Sequence, residues 1–183
     1  MKIDKLYNGL KRIANGDYVL EGDLISEETI EVDLDDRLVV KGKIQTKKSI
    51  VVRFGIEAGD GIKAGFGIEA GCGIKAGCGI EAGCGIEAGW GIEAGWGIKA
   101  GDGIKAGCGI KAGCGIEAGW GIEAGWGIEA KTFISVKKRI FAGISIYSAS
   151  DDCDKSIRCA ELRGGEICYG DLLLTKEAQN DKH

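Results

Sequence analysis

Gly55-Ile56-Glu57-Ala58-Gly59-Asp60-Gly61-Ile62-Lys63-Ala64-Gly65-Phe66 opens a run in which the hexapeptide Gly-Ile-(Glu/Lys)-Ala-Gly-x recurs thirteen times almost without error, the thirteenth copy stopping at Ala130. A unit of six residues cannot bury its own apolar side chains. A strict period this short therefore implies stacked rungs, each covered by its neighbours. The Glu/Lys position tests how many hexapeptides complete one turn. In order it reads Glu57, Lys63, Glu69, Lys75, Glu81, Glu87, Glu93, Lys99, Lys105, Lys111, Glu117, Glu123 and Glu129. In an 18-residue turn, three hexapeptides form a triangle and nine of ten vertical neighbours are opposite in sign. With two hexapeptides per turn five of eleven are opposite, and with four, five of nine. Like charges facing each other on neighbouring strands are unfavourable and opposite ones mildly favourable. Exposed pairs add little one by one, yet a column of them fixes a register that identical repeats would otherwise leave free to slip. The expected fold is mainly β: a triangular β-solenoid with an 18-residue turn of three hexapeptides, its hand left open.

Glu and Lys cannot line so narrow a core, so their position faces water. Alternation along a strand then turns the flanking Ile and Ala inward, and each rung buries three of each. The remaining Gly-x-Gly forms the corner, where glycine permits the positive φ of a sharp turn. The corner residues are Asp60, Phe66, Cys72, Cys78, Cys84, Trp90, Trp96, Asp102, Cys108, Cys114, Trp120 and Trp126. Two readings of them stand. Pointing outward, they set four Trp and Phe66 on the surface as a contact area. Pointing inward, they make the order Cys72, Trp90, Cys108, Trp126 an interior packing of small against large, but they bury two Asp without evident partners.

The chain of 183 residues carries 28 acidic and 24 basic side chains, a net charge of −4 with no basic stripe. That pattern speaks against nucleic-acid or anionic-membrane binding. No apolar run is long enough to span a membrane, and Met1–Lys11 lacks the apolar region of a signal peptide. No two of the repeat cysteines are one such turn apart, and pairs on one corner lie about 10 Å apart, beyond disulfide reach. Reduced thiols and a cytoplasmic location are expected. The spacing Cys-x5-Cys-x5-Cys puts its thiols on three separate corners, which disfavours a metal site. Cys153, Cys159 and Cys168 lie outside the repeat, and a metal or disulfide pair there stays open. Glu21, Asp23, Glu27, Glu28, Glu31, Asp33, Asp35 and Asp36 fall within sixteen residues. They form either a solvated edge or an acidic patch suited to a basic partner.

The ends of a solenoid are open sheet edges that must be covered. Ile3, Leu6, Tyr7, Leu10 and Ile13 recur at helical spacing before Asn15-Gly16, which predicts an amphipathic helix over 3–14 within an N-terminal cap of residues 1–17. Residues 18–54 read as irregular leading rungs, with strands at Tyr18–Leu20, Thr29–Leu34, Leu38–Ile44 and Ser49–Arg53. The regular solenoid spans 55–131 and a trailing rung 132–147. Residues 148–175 are expected to form a polar loop and a hairpin cap turning at Gly164-Gly165, and 176–183 a disordered tail.

The Ile-x-Ala-Gly-x-x run resembles the hexapeptide-repeat β-helices and the bactofilin-type polymer-forming solenoids. The resemblance covers residues 55–130 well and implies a triangular coil of about three short strands per turn. Left-handed hexapeptide proteins are often acyltransferases that use a histidine near a subunit groove. The single histidine here is His183, so that activity has no residue to be carried onto. Gly-x-Gly never stands between a strand and a helix, which leaves a dinucleotide site without support. No catalytic residue, cofactor or metal is expected, and the protein is not expected to be an enzyme. The leading expectation is a monomeric or homodimeric module that binds a protein partner through Trp90, Trp96, Trp120, Trp126 and Phe66 or through its capped ends. General likeness extends this to a phage inhibitor of a host defence nuclease, in the manner of anti-CRISPR proteins. The alternative is a bactofilin-like scaffold that assembles with itself.

Overall fold

The computed structural model describes residues 1–144 and 154–175. Its described residues contain strands and turns and no helix. Each hexapeptide becomes one three-residue strand, Ile-(Glu/Lys)-Ala, and each pairs in parallel with the strand three hexapeptides away. Three sheets result. The first face runs from Leu10–Arg12 and Tyr18–Leu20 through Ile56–Ala58 to Asp171–Leu174. The second runs from Leu24–Ser26 through Ile62–Ala64 to Glu161–Arg163, and the third from Lys2–Ile3 through Ile68–Ala70 to Glu166–Tyr169. The 18-residue turn holds throughout the repeat.

The core is a stack of identical layers. Ile56 lies on Ile74 and Ile92, and Ala58 on Ala76 and Ala94, all at most 3% exposed. A fully buried Ile contributes roughly 1.5–3 kcal/mol, so three per rung make every turn stable only in contact with the next. In the turn before the repeat the same positions are filled by Leu38, Val40, Ile44, Ile50 and Val52. The first turn has 20 residues, against 18 in the repeat. Tyr18 pairs with Leu38, Leu24 with Ile44 and Ile30 with Ile50. The two extra residues sit in the acidic corner after Val32, where Leu34 turns inward and is 1% exposed.

The corner glycines of the repeat differ from expectation. Among the described residues, positive φ is confined to Gly9, Gly16, Gly22, Gly143, Gly164, Gly165 and Gly170, all outside the repeat. Glycine is needed in the repeat for close approach. The chain continues its ladder through the corners, with Gly77 N donating to Ala58 O and Cys78 N to Asp60 O, each at 3.0 Å. A Cβ on Gly59, Gly77, Gly95 or Gly113, each the glycine after an Ala, would collide with a carbonyl of the rung before.

The N-terminal helix over 3–14 is not formed. Lys2–Ile3 pairs in parallel with Glu31–Val32, a turn follows from Asp4 to Tyr7, and Leu10–Arg12 pairs antiparallel with Tyr18–Leu20. Ile3 is fully buried while Leu6 is 93% exposed, so the helical spacing of the two is not used. The physical reason is competition for hydrogen bonds. A twelve-residue helix is marginal on its own, whereas the same segment laid on the first rung satisfies edge groups that would stay unpaired.

The C-terminal hairpin is also replaced. Gly164 and Gly165 do turn the chain at φ +71° and +80°. The flanking strands, however, pair in parallel with the previous turn, Ile134 with Leu162 and Ile140 with Ile167. Ser156–Cys159 likewise stacks on Ile128–Ala130 and beneath Asp171–Leu174. Residues 156–175 are thus further rungs of the coil and not a cap folded over it. The tail 176–183 and most of the polar loop lie outside the described residues. No helix among the described residues is long and apolar enough to cross a membrane.

Candidate interaction surface

The corner position points outward. Trp90 is 64% exposed, Trp96 66%, Trp120 59%, Trp126 48% and Phe66 56%. The inward reading of this position is therefore set aside, and Asp60 and Asp102 stand in solvent as charge requires. The corner backbone is bonded rung to rung, because each corner amide donates to the carbonyl one rung earlier: Trp90 to Cys72 at 3.2 Å, Trp96 to Cys78 at 3.1 Å, Trp120 to Asp102 at 3.0 Å.

Each corner borders a groove along the rod. The corner side chains form one wall, the outward Glu/Lys column forms the other, and the glycine before each Ile is the floor. The groove on the first face has a volume of about 810 Å³ and runs past Phe54, Trp90 and Trp126. Those on the third and second faces are about 520 and 540 Å³. Phe54 was not singled out by the sequence because it precedes the regular repeat. Its signal was there, since it stands three hexapeptides before Cys72.

The charge columns follow the expected order. Lys63 reaches Glu81 at 3.0 Å, Lys99 reaches Glu117 at 3.4 Å, Lys105 reaches Glu87 at 3.8 Å and Lys111 reaches Glu129 at 3.7 Å. The one like-charge step, Glu69 beside Glu87, is present in the register. These pairs are solvated, and each contributes little.

The acidic run is met by bases one turn later, across the longer first turn. Asp23 faces Lys43, Glu27 faces Lys47, Glu28 binds Lys48 and Asp33 faces Arg53. Asp35 accepts from Lys5 at 2.7 Å and from the Tyr18 hydroxyl at 2.6 Å, and these bonds hold its carboxyl well below the usual range. The most buried carboxylate among the described residues, Asp17, accepts two hydrogen bonds from the Arg37 guanidinium, at 2.6 and 3.3 Å, and its pKa is lowered chiefly by them. Arg37 also contacts Glu57 at 2.9 Å, joining the first turn to the repeat. Glu31 and Asp36 belong to the same run and stay outside these ion pairs.

No family model, curated protein or solved structure matches this chain. The structure shows a parallel β-solenoid with an 18-residue turn and attaches it to no family.

Cys72, Cys78, Cys84, Cys108, Cys114 and Cys168 are free and at least partly accessible, whereas Cys159 is buried, which pushes its thiol pKa up. Among the described residues no group of three or more His, Cys, Asp or Glu side chains is placed to hold a metal. Cys153 and His183 lie outside the described residues. Near the far end of the rod, cations lie over aromatic rings: Lys138 is 4.3 Å from the Trp120 ring centre and Arg163 is 4.0 Å from that of Phe133.

Proposed function

We propose that the protein is a non-catalytic interaction module, a rigid rod that binds a protein partner through its aromatic corners. The observation that carries this reading is the exposure of four Trp and Phe66 on a backbone bonded rung to rung. Trp and Tyr dominate binding energetics at protein interfaces. A corner already fixed in place loses little conformational freedom on association. The aromatics are a better anchor than the acidic corner, whose carboxylates are largely matched by cations of the same chain.

Replacing Trp90, Trp96, Trp120 and Trp126 by Ser leaves the Ile/Ala core untouched. The variant is expected to keep its β-rich circular dichroism and to lose cross-linking to its partner in cells that produce the protein. A folded variant that cross-links as before sinks the corner reading. In a narrower form the partner is a host defence nuclease blocked by the rod, as anti-CRISPR proteins do. The small acidic chain and the lack of a legible catalytic constellation support that form. Undiminished cleavage by such nucleases with the protein in excess would set it aside.

One observation favours the second reading, a self-assembling scaffold. The last rung leaves Leu172, Leu173 and Leu174 at 37–62% exposure and its strand edge unpaired among the described residues. Uncovered edges of this kind pair with other chains. Light scattering across a wide concentration range separates the two readings: long polymers support the scaffold, and a constant small species supports the module.

A further inference from the structure

One groove differs from the other two in carrying a strict period of two rungs. On the first face, rungs with an aromatic corner and an outward Glu alternate with rungs that pair a Cys with a Lys. Phe54 goes with Glu57, Trp90 with Glu93 and Trp126 with Glu129; Cys72 goes with Lys75 and Cys108 with Lys111. The Cys rungs leave gaps between the rings, and the glycine floor lets a ligand lie deep between the two walls. Neither other corner has this order. One has Trp96 as its single aromatic between Cys78 and Cys114, and in the other Lys138 lies 4.3 Å over the Trp120 ring, closer than Arg53 comes to the Phe54 ring at 5.9 Å.

Rungs of a sheet are ~4.8 Å apart, so the ring-to-ring period is about 9.6 Å. A polyproline II helix rises about 3.1 Å per residue and repeats every three residues, or about 9.3 Å. The drift from Phe54 to Trp126 is then about 0.6 Å, within the adjustment of an aromatic side chain. A β-strand presents the same side every ~6.8 Å and an α-helix every ~5.4 Å, and neither fits one ring per repeat. Strand addition is closed for a second reason. The backbone groups of this face are already paired along the rod, so a ligand must use rings and charges.

We propose that the groove of Phe54, Trp90 and Trp126 binds a proline-rich segment of a partner protein in the polyproline II conformation. One proline per three residues stacks on each ring, and a basic residue of the segment meets Glu93. Prolines docking on aromatic-lined grooves is an established mode of peptide recognition. Glu57 is engaged by Arg37 and Glu129 by Lys111, while Glu93 has no ion-pair partner within 4.0 Å among the described residues. Glu93 sits on the central aromatic rung, in register between Lys75 and Lys111 but outside ion-pair distance of both, and is the carboxylate of this groove open to a further cation. This proposal rests on the reading of the corners as a protein-binding surface and names the chemistry of the partner.

The test uses a synthetic peptide of four Pro-Ala-Arg triplets and a control of equal composition with irregular proline spacing, titrated against tryptophan fluorescence of the full chain. Saturable binding is expected for the triplet peptide and at least about tenfold weaker binding for the control. Trp90→Ser should lower affinity by about tenfold or more, with Trp96→Ser, on another corner, leaving it unchanged. Glu93→Gln should weaken binding about threefold and flatten its salt dependence. Trp90 is 64% exposed, so its truncation leaves the core intact, and circular dichroism checks this. Equal affinity for both peptides, no saturable binding, or equal losses at Trp90 and Trp96 would overturn the proposal. So would binding of a β-linked oligosaccharide at Trp90 without the peptide. If the peptide fails while the four-Trp variant still loses its cellular partner, the corner reading stands and the proline ligand falls. A partner retained by that variant overturns both.

Discussion

A Cβ added at Gly113, the glycine that follows Ala112, would drive into the carbonyl oxygen of Gly95 one rung earlier. A Cβ at Gly67, the glycine that precedes Ile68, would meet the carbonyl oxygen of Gly85 at 3.5 Å, an ordinary contact. Neither residue has positive φ, so sterics alone separates them. Gly113→Ala is expected to destabilise by about 3 kcal/mol or more through forced backbone displacement. Gly67→Ala is expected to be neutral or to stabilise by ~0.5 kcal/mol through lost freedom of the unfolded chain. Urea denaturation midpoints at constant m-value check the pair; equal losses would refute the close-approach account. The single flaw in the charge columns offers a second residue-level test. Glu69 stands beside Glu87 and Val51, so Glu69→Lys restores alternation down that face. It should stabilise by roughly 0.2–1 kcal/mol at low salt, with the gain fading at high salt.

The N-terminal segment shows at the scale of an element how two signals competed. Its apolar residues are spaced for a helix, yet the exposed edge of the first rung captures them as strands. Ile3→Ser should cost about 2–4 kcal/mol, because Ile3 is fully buried against that edge, and Leu6→Ser less than ~0.5 kcal/mol. A helix docked through both residues would make the two losses comparable. The same segment sets a pH dependence. Arg37 lowers the folded-state pKa of the buried Asp17. The pair therefore stabilises the fold at pH values above the ordinary carboxylate range, and that contribution disappears as pH falls through the lowered value. Asp17→Asn should reduce stability at neutral pH and flatten the acid limb of a stability–pH curve. The repeat itself was legible because one position carries charge in an order that only an 18-residue turn makes alternate. The ends were not, because pairing with a preceding rung leaves no local trace. Gly164-Gly165 announces a turn in either topology, and the 20-residue first turn shows only once Asp23 is seen beside Lys43. The outward corners could be argued from Asp60 and Asp102. Their grouping with Phe54 into one groove depends on a rung whose own sequence breaks the repeat.

Over the whole molecule, stability should approach a sum of nearly identical rungs and their contacts, because each rung touches only its neighbours. The three faces share one core of Ile and Ala, so a hexapeptide can leave without changing any layer. Deleting residues 91–96 rotates everything downstream by one face, restacks Ile on Ile, and leaves seven of the nine remaining charge pairs opposite in sign. Deleting Glu93 alone takes out far less chain but breaks the alternation, forcing Ile92 or Ala94 outward or a charge inward. The larger deletion is therefore expected to be the milder one. The hexapeptide deletion should melt within a few degrees of the parent, about 1 kcal/mol or less. The single-residue deletion should lose several kcal/mol or refold around a bulge. Thermal melts followed by circular dichroism decide between them. A hexapeptide deletion that unfolds the chain would mean that the faces are not interchangeable and that the leading and trailing rungs, not the repeat, fix the coil.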